Sequence, residues 1–286
     1  VVGAVAGLLV GVPKIVVGTR NLNPSHFQNL YRPWLRATYA ALSRSPRVIL
    51  TANSSAGGAD YAAWCGADLS QFRVIPNGLD TERWAPPSPE ERARARASLG
   101  VGEGDLLVVG VFRLATEKRP LDFLEVLARA HAEAPQLRAL HVGEGPLGEA
   151  FAERAAELGL TGDEGPLQIL GRRRDVEAIL AAADLCLLCS EQEGCPNVLL
   201  EAHARGVPAV TTAAGGATEI VADGETGFVL PVGDIEGLSG GLLQLCVPER
   251  RERAGRAARQ RVCELFSLEV MLKAYRELYE EDLAKD

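Results

Sequence analysis

Aromatic residues make up only 5% of the 286-residue chain, and its 30 Lys and Arg are outnumbered by 38 Asp and Glu. The first scarcity leaves too few rings for a platform that stacks single-stranded nucleic acid. The second sets a formal charge of −8, which gives no general attraction to a phosphate backbone or an anionic lipid surface. Nucleic acid is therefore not expected as a partner. Six cysteines are too few for a disulfide scaffold, and a reducing, cytoplasmic compartment is the default expectation. The four histidines show no spacing that makes a metal site, so no metal is expected. Long apolar runs are also missing. Residues 1–12 are apolar but are stopped by Pro13, short of the ~20 residues that span a bilayer. They lack the basic start and cleavage site of a signal peptide and read as a buried helix cut from a larger chain. What is present, 47% apolar and 24% charged residues, is an ordinary globular composition with enough chain for two modest domains.

Short apolar runs at 14–19, 47–52 and 72–76 read as strands, with helical stretches over 27–43 and 54–66 between them. The turn signal Asn77-Gly78 and the cluster Pro86-Pro87-Ser88-Pro89 follow, which places a domain boundary near residue 82. Beyond it the alternation is regular: strands at 106–112, 138–142, 167–170, 184–190 and 208–212, helices over 120–134, 147–158, 175–183 and 196–205. Strands so short and so apolar fit a parallel sheet covered on both faces, and repeated strand–helix units imply a doubly wound α/β domain over 83–264. Ligands on such sheets bind beyond the carboxyl ends of the strands. A charged helix at 267–286 closes the chain within a third segment, 265–286.

Several motifs compete. Cys186 and Cys189 spell a C-x-x-C, but residues three apart on a strand point to opposite faces, and no second pair accompanies them; a buried strand is the better reading. Gly143-Glu144-Gly145-Pro146-Leu147-Gly148 matches a dinucleotide fingerprint. It follows the second strand of its domain, contains a proline, and has no acid placed for a ribose. The richest segment is Glu193-Gly194-Cys195-Pro196-Asn197-Val198-Leu199-Leu200-Glu201. A helix opening at Pro196 points its free amides at the strand's carboxyl end, where the positive helix terminus suits a pyrophosphate. Glu193 then faces whatever the phosphates carry, and Glu201, flanked by Leu199, Leu200 and Ala202, can reach a ribose diol from within the helix. An acid in that apolar setting is expected to have a partner. Arg113 and Lys118 lie on the loop after the first strand of the domain and supply a bidentate clamp and a point charge for a diphosphate. A hydrolase using Glu193 and Glu201 as acid and base gives those two cations no role.

Taken together, Arg113…Lys118, the segment from Val142 to Pro146, and the spacing E-x(7)-E from Glu193 to Glu201 resemble the nucleotide-binding domain of retaining glycosyltransferases of the GT-B fold, family four, the group 1 transferases. Ile75-Pro76-Asn77-Gly78-Leu79-Asp80 resembles the usual interdomain junction; Gly206-Val207-Pro208, Gly215-Gly216 and the run from Glu219 to Gly224 fit later segments. The resemblance implies a Rossmann-like C-terminal domain with a truncated Rossmann-like N-terminal domain over 1–82, and a terminal helix that crosses back to it. It further implies that Arg113 and Lys118 hold the diphosphate and stabilise the leaving group. Glu193 would contact the hexose, Glu201 the ribose, and backbone groups near Arg172 and Arg173 the base. Gly194, Cys195, Pro196, Asn197, Val198 and Leu199 form the rest of the donor site. No cofactor is implied. The donor is a UDP-sugar, with a GDP-sugar second, and the acceptor a carbohydrate or a lipid-linked glycan. Peripheral membrane contact would fall to the part of the N-terminal domain that the resemblance places before Val1, at the inner face of a membrane. The alternative is a non-catalytic nucleotide-sugar-binding fragment, one that binds nucleotide and turns over weakly or not at all. Members often carry a histidine after the strand matching 14–19; here Arg20 and Asn21 stand there, with His26 further on. His131 and His141 read as structural, and His203 as a cation at a helix C-terminus. Residues 250–261, rich in arginine, read as a solvated helix. Tyr31, Trp34 and Tyr39 with Arg32 and Arg36 either border an acceptor site or, for Trp34, belong to the core.

Overall fold

The structure is a computed structural model that describes residues 1–27, 30–162 and 165–283. In the first part of the chain, helix α1 (Val2–Leu9) leads to strand β1 (Ile15–Thr19), then α2 (Pro33–Ser43), β2 (Val48–Ala52), α3 (Ser55–Cys65) and β3 (Phe72–Val74). The three strands pair in parallel in the order β1-β2-β3. The second part runs α4 (Pro89–Ser98), β4 (Leu106–Val111), α5 (Pro120–Glu133), β5 (Leu137–Val142), α6 (Gly148–Glu157), β6 (Leu167–Ile169), α7 (Val176–Ala182), β7 (Leu185–Leu188), α8 (Asn197–Ala204), β8 (Ala209–Thr212), α9 (Ala217–Ile220), β9 (Gly227–Leu230), α10 (Ile235–Leu245), α11 (Pro248–Leu265) and α12 (Leu268–Leu283). Its sheet has the order β6-β5-β4-β7-β8-β9, and every pairing is parallel. The order reverses between β4 and β7, so the loops after these two strands splay apart and leave a crevice. This is the α/β, doubly wound architecture expected from the apolar runs.

The sheet is covered on both faces, which is why β7 (Leu-Cys-Leu-Leu) and β8 are buried throughout. Cys186 and Cys189 are both fully buried free thiols. Burial pushes Cys186 up to about 12 and Cys189 higher still, so neither is a redox or metal thiolate. The second part contains elements that the sequence patterns leave out. Helix α4 sits in the segment that composition marks as a boundary, because its single buried apolar side chain, Ala95, gives no periodic stripe. It is anchored by charge: Arg92 and Arg96 both donate to Asp184 (2.7 and 2.9 Å) and to carbonyls at the end of α7. Strand β9 is four residues long and begins on glycine, too short for a period-two signal.

Other expectations need correction. Helix α1 is not buried: Ala4 is, but Val2, Leu9 and Val10 are 72%, 83% and 80% exposed, because α1 packs against β1, the edge strand of its sheet. The helix expected over 27–43 is a 3₁₀ turn at Pro24–His26 and then α2 from Pro33, with residues 28–29 outside the described residues. Trp34 is half exposed; Tyr39, Tyr61 and Trp64 form the aromatic centre of this unit instead. Helix α11 is less solvated than its arginines suggest, since Arg251, Arg259 and Arg261 cap carbonyls at Leu245, Cys246, Ala204, Ile220 and Glu219. The last helix, expected over 267–286, runs back beside the first unit. Arg73 pairs with Glu281, the Gly78 amide meets Met271 Sδ, and Leu79 bridges to Ser267. Residues 284–286 of that expectation lie outside the described residues.

His203 is not a helix-terminal cation. It is fully buried between the Val207 carbonyl and Thr226 Oγ1, and burial lowers it to about 4, as it does His141 behind Phe112. Both are neutral in the folded chain at a pH where the unfolded chain would bind protons, so folding stability falls as pH drops from about 6.5 towards 4. Urea denaturation is expected to show a lower midpoint at pH 5 than at pH 7.5. A His203→Asn variant should flatten that slope; an unchanged slope would remove His203 from the account.

Candidate functional site

The loops after β4 and β7 face each other across the crevice and are tied through their backbones: the amide of Glu191 donates to the Glu117 carbonyl at 2.9 Å. On this frame Lys118 Nζ reaches Glu193 Oε1 at 2.7 Å, and Ser190 Oγ donates to the same oxygen at 2.6 Å. Glu193 is 7% exposed. A carboxylate that deep is stable only with such partners, so the acid read from the loop is a held group with a cation on it.

Two glycine-rich segments shape the loops. A Cβ on Gly143 would stand 2.0 Å from the Phe112 carbonyl oxygen, and one on Gly145 would stand 2.3 Å from that of Leu114. The fingerprint-like glycines therefore let one loop pack directly on the backbone that carries Arg113 and Lys118. No nucleotide fingerprint is needed to explain them. Gly215 has φ +50, and a Cβ there would meet the Glu193 carbonyl oxygen at 1.8 Å. Gly215→Ala is thus expected to displace the Glu193 loop at a cost of ~1–3 kcal/mol in backbone strain alone. Thermal melting together with nucleotide titration checks this; a variant that matches the parent in both would refute it.

The crevice holds a cavity of about 760 Å³. Lys118, Glu193, Cys195, Pro196, Asn197 and Val198 line one part of it, and Glu201 lines it from the second turn of α8. Pro196 is the N-cap of this helix and Asn197 its first residue, one position later than the sequence implies. The amide of Leu199 is engaged by the Pro196 carbonyl at 3.1 Å, and Leu199 is buried. Gly194 is buried as well, and a Cβ on it would touch the Arg20 carbonyl of the first unit at 2.7 Å. Neither residue reaches the cavity. Cys195, 9% exposed, has its thiol pushed up to about 11 by burial and serves as wall, not nucleophile.

Glu201 is half-buried, lines the cavity, and has no ion-pair or hydrogen-bond partner for its carboxylate among the described residues. Burial alone raises its pKa. No side chain among the described residues supplies the partner expected for it, and the carboxylate is presented to the cavity. Arg113 is exposed and does not line the cavity. Arg172 and Arg173 are exposed and off it too; Arg173 pairs with Asp175 at 2.6 Å, and the wall on that side comes from Arg174 to Ala178.

Residues outside the cavity hold its frame, in contacts that the sequence motifs do not spell out. Asn77 donates from Nδ2 to Asn197 Oδ1 at 2.8 Å and to the Cys195 carbonyl at 3.3 Å, so the junction between the units pins the α8 N-terminus. Glu219 accepts the amides of Ser55 and Ala56, both at 3.0 Å, at the start of α3. His26, the histidine nearest to β1, pairs with Asp60 at 2.9 Å. Arg83, Trp84, Glu91 and Glu177 also line the cavity. Among the described residues no group of three or more His, Cys, Asp or Glu side chains is arranged to hold a metal ion.

The family of glycosyl transferases group 1 matches residues 103–247, just over half of the chain, including Lys118, Glu193 and Glu201. The chain belongs to the group 1 glycosyl transferases. Among curated relatives it is 33% identical over 233 residues to the Salmonella typhi Vi polysaccharide biosynthesis protein VipC/TviE, covering 79% of this chain and 39% of that one. It is 31% identical to the Bacillus anthracis N-acetyl-alpha-D-glucosaminyl L-malate synthase, covering 68% of this chain and 51% of that one. The chain thus spans about half the length, or less, of these curated relatives. The fold of Anabaena HepE, solved in complex with UDP and glucose, superposes with a TM-score of 0.85 at 25% identity, covering 99% of this chain and 75% of that one. The fold of this transferase-family chain is of the GT-B type. Among the described residues no helix is long and apolar enough to cross a membrane.

Proposed function

We propose that this chain is the donor-binding part of a retaining glycosyltransferase that moves a hexose from a nucleoside diphosphate sugar to a carbohydrate or lipid-linked acceptor. The observation that carries the reading is the Glu201 carboxylate, presented without a partner among the described residues to the same cavity as the Lys118–Glu193 pair. A ribose offers two vicinal hydroxyls, the ligand an isolated carboxylate accepts from with both oxygens. The amides of Asn197 and Val198 at the opening of α8, with Lys118 opposite, suit the diphosphate. Glu193, kept in place by Ser190 and Lys118, then faces the hexose hydroxyls. Arg113, on the same loop as Lys118, stands off the cavity wall, and in this reading its side chain swings onto the leaving group as the second cation when the donor binds. UDP is the favoured nucleotide, on the strength of the likeness to HepE, with GDP second.

In the reaction the bond from the anomeric carbon to the β-phosphate oxygen breaks, and an acceptor oxygen bonds to that carbon on the same face. The departing phosphate takes the acceptor proton. Negative charge grows on the diphosphate in this step, and Lys118 with Arg113 stabilises it. With these cations in place the reading includes no bound metal and no cofactor. The relation to VipC/TviE supports a surface polysaccharide as the context. Calorimetric titration with UDP and GDP, with and without EDTA, tests the donor reading: one nucleotide should bind, and chelation should not weaken it. Binding of neither would overturn the proposal. An α-linked product from an α-linked donor, read by NMR, would support retention, and inversion would refute it.

A further inference from the structure

A nucleoside diphosphate has three chemical parts, and the function proposed above uses the cavity wall for two of them, diphosphate and ribose. The remaining wall contains Trp84, which lies four residues after the Asp80 turn that follows Asn77-Gly78. Its amide is fixed to the Asp80 carbonyl at 3.1 Å. Behind the ring stands Arg205, its Cζ 5.8 Å from the ring centroid. That guanidinium is 2% exposed and is itself held by Glu91 at 3.2 Å and Glu177 at 3.1 Å. Arg83 braces Glu177 from its other oxygen at 3.2 Å. Burying an arginine so fully is costly unless its charge is matched, and here two carboxylates match it. The result is an indole whose back is clamped and whose remaining surface borders the cavity. Phe112, the other aromatic in the wall, is 7% exposed and is committed to Phe123 and His141.

We infer that Trp84 is the platform on which the donor's nucleobase lies, backed by Arg205, and that it contributes affinity for the nucleoside part alone. The inference rests on the donor-site reading. Aromatic stacking serves every base through its π face, so Trp84 anchors a base without choosing it. The clamp keeps the ring oriented before the donor arrives, which lowers the ordering cost of binding. The turn from Asn77 to Trp84 also joins the two units, so one short segment pins the α8 N-terminus through Asn77 and presents the base platform through Trp84.

The test compares UDP with inorganic pyrophosphate in calorimetric titrations of the parent chain, Trp84→Ala and Trp84→Phe. The alanine variant is expected to bind UDP roughly tenfold or more weakly, the phenylalanine variant within about threefold, and both to bind pyrophosphate like the parent. UDP should also quench tryptophan fluorescence in the parent and in Trp34→Phe but not in Trp84→Phe, a readout available even if the alanine variant does not fold. Equal losses for UDP and pyrophosphate would make Trp84 a mere wall residue and overturn the inference. So would unchanged UDP binding by Trp84→Ala, or a quench that survives in Trp84→Phe. A parent chain that binds neither UDP nor pyrophosphate would instead overturn the donor-site reading itself.

Discussion

Replacing Lys118 is expected to lower both stability and nucleotide affinity, and a second substitution should separate the two. In Lys118→Met the Glu193 carboxylate, 8% exposed, keeps only the Ser190 hydroxyl. Breaking one side of a buried pair costs about 3–5 kcal/mol, and the lower end applies because Lys118 is 22% exposed. For a chain of this size that is a fall in melting temperature of ~6–12 °C. Adding Glu193→Gln removes the orphaned charge, so the double variant should recover most of the stability. It should not recover binding, because the cation at the diphosphate is still absent. A double variant that binds UDP like the parent would show that Lys118 acts only on Glu193.

Glu201→Gln is expected to weaken UDP by roughly 10- to 100-fold while raising the melting temperature. Hydrogen bonds from hydroxyls to a charged acceptor are worth ~1.5–3 kcal/mol, and the amide replaces one of the two acceptor oxygens with a donor. The stability gain follows from the desolvation that raises the Glu201 pKa. Folded Glu201 keeps its proton at a pH where the unfolded chain has already lost it. Its contribution to stability is therefore lost as pH rises from its ordinary value of 4.5 through the raised folded value. Above that window the ionised, unpartnered group is a standing cost that glutamine does not carry. This is the trade of stability for function that binding sites make. Calorimetry with UDP and a melting curve at pH 7.5 read both effects, and a variant that loses stability along with affinity would point to a structural role for the carboxylate.

Most of the fold was legible from local pattern. All of the strands expected between 14 and 212 form, within a residue or two at most ends, because a parallel strand covered on both faces is simply an uninterrupted apolar run. Helix α4 was not legible, since its hold on the sheet is two arginines reaching Asp184, and long charged side chains leave no periodic apolar trace. Strand β9 was too short, and the exposure of α1 depends on what lies beside it, which no local pattern encodes.

The candidate site divides along the same line. Glu193 and Glu201, with Lys118, were nameable from the sequence, because an acid beside a helix start, an acid among leucines and a cation before a proline-led helix each carry local chemistry. Their assembly was not: the Lys118–Glu193 contact joins residues 75 positions apart, and only the pairing of β4 with β7 in the sheet sets the two loops side by side. Arg113, Arg172 and Arg173 lie outside the cavity, whereas Trp84 lines it, with Arg205 packed on its ring and Asn77 holding the α8 N-terminus; neither Trp84 nor Arg205 sits in a motif. Sequence determined which elements form and which side chains can do chemistry, because those depend on neighbours within a few residues. Tertiary structure decided which of those side chains share one low-dielectric space, because that depends on loop closure and on the glycines that let the loops touch.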